Sequence, residues 1–138
     1  MRVAALMIGV LLAFPAMARD DGHHANSPLK GWFERLGSGR GLCCSFADGV
    51  SIADVDWTIE GEGQRCRIFD DDAESHRTGH YCVRLEGSWW LVPDIAVVLD
   101  PNRFGPAVVW PTYIENKARP DDKPTLVGIR CFLPGALT

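Results

Sequence analysis

The chain has 138 residues, 46% of them hydrophobic and 23% charged, with a net charge of -4 at pH 7. That length leaves room for one modest core, not two, and the mild acidity argues against nucleic acid or an anionic membrane as a partner. Five cysteines form an odd set, so at least one thiol is left over if the others pair.

Met1 to Ala18 reads as a secretory signal peptide: Arg2 supplies the positive start, Val3 to Phe14 the apolar stretch, and Ala16-Met17-Ala18 an A-x-A cleavage site. The apolar run is too short to span a bilayer, which takes roughly 20 residues, and no later run approaches that length. No integral membrane segment is expected after cleavage, and loss of Arg2 moves the net charge from -4 to -5. An exported chain tolerates disulfides, and all five cysteines lie beyond the cleavage site. Residues 19–28 are polar and read as a flexible arm. His23 and His24 lie in this arm. They offer imidazoles to a transition metal, yet neither falls at the third position of a chain beginning at Arg19.

The segment 29–138 reads as a single small β-rich domain with one short helix at its start. Ser27 suits a helix cap, Pro28 suits a first turn, and Leu29, Trp32, Phe33 and Leu36 share a helical face. The expected role of that face is packing on the domain. Tyr81 to Leu85 and Ser88 to Val92 flank Glu86-Gly87, a two-residue hairpin turn. This turn pairs Leu85 with Ser88, Arg84 with Trp89, Val83 with Trp90 and Cys82 with Leu91. Tyr81, Val83, Leu85, Trp90 and Val92 then share a core face. The other face carries Arg84 and Trp89, where a guanidinium can lie on an indole. Ile95 to Leu99 is a short apolar β-branched segment. Ala107 to Trp110 is a strand that Pro111 stops or marks as an edge, residues 115–123 form a solvent loop, and Leu126 to Phe132 is the last strand. Short strands between Gly and Pro turns favour a mainly β fold, a small antiparallel roll or partly closed barrel, stapled by disulfides.

The cysteines divide into a local pair and a distant set. A strand over residues 64–69, looped symmetrically onto the strand of Cys82, would place Cys66 opposite Cys82 within disulfide reach. A zinc site from Cys66, His76, His80 and Cys82 is the weaker reading, because Thr78-Gly79 disfavours the helix that His76-x-x-x-His80 needs. Cys131 is the natural partner for the Cys43-Cys44 doublet. Either sulfur serves: with Cys44 bonded, Cys43 is the free thiol. A bond between neighbours would demand strained geometry. No Cys-x-x-Cys motif or adjacent base activates the odd thiol.

Other chemistry finds little support. Asp54, Asp56 and Glu60 fail the calcium-loop pattern because Ile59 stands where glycine is needed, and the 70–72 aspartates with Glu74 lack alternating spacing. No nucleophile elbow, zinc-protease, phosphate-loop or dinucleotide fingerprint occurs. No catalytic residue, metal or cofactor is therefore expected. Trp57, Trp89 and Trp110 offer rings for stacking, with Trp57 and Trp110 expected in the core.

Leu42-Cys43-Cys44-Ser45-x-Ala47-Asp48, the block from Val92-Pro93-Asp94 to Ala96-Val97, Pro101-Asn102-Arg103 with Gly105, and Arg130-Cys131-Phe132-x-Pro134-Gly135 together form an ordered set. This set resembles an uncharacterised family of small exported proteins of Gram-negative bacteria, from about Trp32 to the C-terminus. Many members carry two further cysteines, at positions that correspond to Gly49 and Trp110. The resemblance implies that residues 49 and 110 are close in space and that Cys131 faces the doublet. Its implied location is the periplasm. The expected function is a non-enzymatic binding or scaffold domain that meets a protein or glycan of the cell envelope, with Arg84 and Trp89 as contacts. The alternative is thiol-redox or metal handling.

Overall fold

The structure is a computed structural model that describes residues 26–44, 48–59, 65–69, 79–119 and 122–136. The signal-peptide reading, His23, His24, His76, Glu60 and the 70–74 carboxylates lie outside the described residues. Mainly β structure is observed, in three antiparallel sheets that do not close into a barrel.

Ser27 Oγ accepts the Leu29 N–H at 3.2 Å, yet it is not the cap expected: α1 spans Lys30–Phe33 and its N-cap is Leu29, with no side-chain cap. One turn is all that forms, and its apolar face decides its position: Trp32, Phe33 and Leu36 are buried. A short ribbon pairs β1 (Gly37–Ser38) with β2 (Gly41–Leu42). The chain then enters β3 (Val50–Ile52), a 3-10 turn at Asp54–Asp56 and β4 (Trp57–Ile59). The hairpin β5 (Tyr81–Leu85) and β6 (Ser88–Val92) has the register read from the sequence, Arg84 opposite Trp89 and Val83 opposite Trp90. Glu86 and Gly87 have φ of 51° and 79°, the paired left-handed conformations that match the twist of a two-residue hairpin. Two long strands complete the fold, β7 (Ala107–Ile114) and β8 (Thr125–Leu133).

One sheet has the order β4-β5-β6 and another β3-β7-β8. Alternation along β7 explains how they stack. Ala107 and Val109 face the first sheet, in a core with Val83, Val92, Ile129 and Phe132. Val108 and Trp110 face the opposite way, in a second core with Trp32, Phe33, Leu36 and Leu133. The β3-β7-β8 sheet is thus the middle layer between the other sheet and α1, and burial on both faces is why Ala107 to Trp110 reads as an unbroken apolar run. Trp110 is 2% exposed, and Trp57 is half-buried against the first core.

The apolar segment at 95–99 starts in a 3-10 turn, Asp94–Ala96, after which Val97 bridges Phe132 in parallel. Pro111 does not stop β7 but marks an edge, the second of the two roles read from the sequence: it sits at a shift of register, beyond the end of β3 and paired on one side only, with β8. One further local expectation is corrected. Residues 65–69 do not pair with β5, whose neighbours are β4 and β6. They lie parallel beside β6, with the Arg67 N–H donated to Trp89 O at 2.9 Å and the Leu91 N–H to Arg67 O at 2.8 Å.

Candidate functional site

Cys66 and Cys82 are bonded, with Cα atoms 6.1 Å apart. The bond is the one expected, although the antiparallel register that suggested it is absent. It covers the outer face of β5, where Cys82 is fully buried. Because both cysteines are consumed in the bond, the zinc reading of Cys66, His76, His80 and Cys82 does not hold. Among the described residues no group of three His, Cys, Asp or Glu side chains converges as metal ligands.

The second bond joins Cys43 to Cys131, with Cα atoms 5.5 Å apart and 88 residues between them in sequence. Assigning Cys44 to the bond and Cys43 to the free thiol is therefore corrected. Cys43 follows β2, donates its N–H to Leu36 O, and points into the helix-side core, where both sulfurs are fully buried. At Cys44 the chain turns into the left-handed region, φ 75°, which carries its side chain out to solvent as a free thiol.

Among the described residues, several motif residues converge on the C-terminal half of β8. Cys131 holds Cys43, and Arg130 donates its Nε hydrogen to Leu42 O. The Arg130 carbonyl accepts from the Ser38 hydroxyl at 2.9 Å, and Phe132 O accepts from the Val98 N–H at 2.8 Å. Asn102 closes the set. Its Nδ2 donates to Pro106 O and Pro134 O at 2.9 and 2.8 Å, while its Oδ1 accepts from the N–H groups of Phe104 and Gly105. These motifs fasten the chain. Gly49 does lie against Trp110: a Cβ built there would stand 2.9 Å from Trp110 Cε2.

Arg84 and Trp89 are brought together as cross-strand neighbours, but Arg84 is exposed and its nearest partner is Asp56, at 3.9 Å. The cation–π contact observed is Arg67 over Trp90, 4.7 Å from the ring centre, with Phe69 stacked on the same indole at 4.2 Å.

The feature that composition and spacing do not reveal is a groove over the 94–100 segment. One bay of about 460 Å³ is lined by Ile59, His80, Tyr81, Asp94, Val97 and Leu99. A second, of about 310 Å³, shares Asp94, Val97 and Leu99 and continues to Ile95, Asp100 and the turn at 37–39. Its far wall is close-fitted: a Cβ on Gly39 would overlap Ile95, so only glycine lets the β1-β2 turn lie there. Aliphatic side chains line the groove unusually openly, with Leu99 91%, Ile59 47% and Ile95 40% exposed. His80 Nδ1 and Asp94 Oδ1 stand 2.9 Å apart at the junction of the two bays. A carboxylate on an imidazole can orient a general base. The Ser38 hydroxyl, which lines the second bay, is already engaged, because its Oγ donates to Arg130 O and accepts the Arg40 N–H. His80 and Asp94 are 14 residues apart in no recognisable motif, and Leu99 looks in sequence like any core leucine, which is why reading the chain missed them.

Comparison of the chain with protein-family models, with curated proteins and with solved structures gives no match.

Proposed function

We propose that this chain is an exported, non-enzymatic binding domain of the periplasm, and that the groove over residues 94–100 is where it meets a component of the cell envelope. The observation that carries the reading is Leu99, a leucine 91% exposed at the rim of a concave surface with Ile59 and Ile95. A monomeric surface scatters such residues singly, whereas their clustering around a concavity is the pattern of a docking site. Two disulfides and a signal-like N-terminus support the location, since both suit an oxidising compartment. Replacing Leu99 and Ile95 by serine should abolish co-sedimentation with envelope fractions while the circular dichroism spectrum is kept. If Arg84→Ala with Trp89→Ala abolishes it instead, the hairpin face is the contact and the groove is not.

A second reading, thiol exchange or metal handling, is favoured by one observation: Cys44 is an exposed thiol next in sequence to a buried disulfide. An unreactive Cys44 in the native protein, with no metal found by elemental analysis, removes it.

A further inference from the structure

The groove's chemistry narrows the class of its occupant, and this inference rests on the binding reading just given. Among the described residues, the carboxylates that line the groove are Asp94 at the junction and Asp100 at the far bay, and no described lysine or arginine lines either bay. The Asp94 side chain keeps its 2.9 Å contact with His80 and is 40% exposed, so its carboxylate still faces the groove. Between and around the two carboxylates stand Ile59, Ile95, Val97 and Leu99.

This combination disfavours two of the surfaces an envelope offers. Anionic lipid headgroups would be repelled by the carboxylates. Sugars are held by open aromatic faces, and the aromatic residue among the described lining, Tyr81, is packed against Trp57 and Phe132 at centroid distances of 6.1 and 5.4 Å. Aliphatic walls flanked by carboxylates suit instead aliphatic side chains that alternate with cationic ones. We infer that the groove binds an extended protein segment carrying leucine- or valine-like side chains together with lysine or arginine, the cations pairing with Asp94 and Asp100. The two bays share one row of residues, Val97 and Leu99, so successive side chains of a single segment would reach both.

The test uses the oxidised protein and three fluorescent peptides of equal length: leucine alternating with lysine, leucine alternating with glutamate, and serine alternating with lysine. Binding is followed by anisotropy and mapped by methyl chemical shifts. The leucine–lysine peptide should bind and perturb Ile59, Ile95, Val97 and Leu99. Asp94→Asn with Asp100→Asn should weaken it on the order of tenfold, the sum of two exposed ion pairs. Added salt should weaken the native protein's binding and barely affect the double variant. Leu99→Ser should weaken binding without changing its salt dependence. Equal binding of the leucine–glutamate peptide at the groove would overturn the cationic class while leaving the groove a docking site. Shifts confined to other surfaces, or none with any peptide, chitooligosaccharide or anionic vesicle, would overturn the binding reading as well.

Discussion

Removing the Cys43–Cys131 bond should cost more than any other small change to this chain. The bond closes a loop of 88 residues, against 16 for Cys66–Cys82. In the chain-entropy model those lengths correspond to about 4.6 and about 3.1 kcal/mol of stabilisation. The difference has a structural counterpart. The longer link joins the end of β2 to β8 inside the core that holds α1 on the middle sheet, whereas the shorter one fixes a single edge segment to β5. A domain of this size has on the order of 5–15 kcal/mol in total, so the first loss is a large share of it. Urea titrations of Cys43→Ala with Cys131→Ala, of Cys66→Ala with Cys82→Ala, and of Cys44→Ser, all without reductant, measure the ordering. The first pair should lose about 1.5 kcal/mol more than the second, and Cys44→Ser should stay within about 0.5 kcal/mol of the parent because its side chain is exposed. A larger loss from the Cys66 pair, or a strong loss from Cys44→Ser, would refute the assignment of the anchoring role.

Gly49→Ala should destabilise by about 1–3 kcal/mol, seen as a lower Tm, because its Cβ would stand 2.9 Å from Trp110 Cε2 and Val108 Cγ1 in a filled core. The β3-β7 register, with Val50 opposite Val109, carries Gly49 beside the Trp110 backbone, so Gly49→Cys with Trp110→Cys should form a third disulfide, read as a mass lower by two hydrogens. Asn102→Ala should cost about 1–3 kcal/mol by chemical denaturation, since it leaves the carbonyls of Pro106 and Pro134 and the N–H groups of Phe104 and Gly105 without their amide partner. Tyr113 should ionise above its ordinary value of 10.0, chiefly because burial disfavours the phenolate, with the Glu86 charge and hydrogen bond adding to it. A folded-state pKa raised in this way gives stability that is complete below the unfolded pKa and fades as pH rises through the folded one. Glu86→Gln should therefore lower the Tyr113 midpoint in an ultraviolet titration.

Local chemistry was legible wherever neighbours in sequence decide the structure. The β5-β6 register follows from the two residues of its turn, and the inward face of α1 follows from the spacing of Trp32, Phe33 and Leu36. The Cys66–Cys82 bond was expected from a strand pairing that β4 in fact occupies, so the right link came from the wrong register. Which sulfur of the doublet points inward was not legible, because it depends on a left-handed turn at Cys44, a conformation that cysteine does not favour and that nothing nearby announces. The groove was hidden for a related reason. Ile95, Val97 and Leu99 have the composition of a core strand, yet Ile95 and Leu99 face outward while the smaller Ala96 and Val98 are the buried set, and composition does not say which alternate set turns inward.

The Cys43-Cys44 doublet is divided, one sulfur anchoring β8 from within the core and the other facing solvent. The most direct test of that division is alkylation of the native, unreduced protein, followed by denaturation, proteolysis and mass spectrometry, with fragment ions that separate Cys43 from Cys44. The expected map shows Cys43 linked to Cys131, Cys66 linked to Cys82, and the label on Cys44 before denaturation. A Cys44–Cys131 link with the label on Cys43, or five labelled cysteines in folded protein, would contradict it.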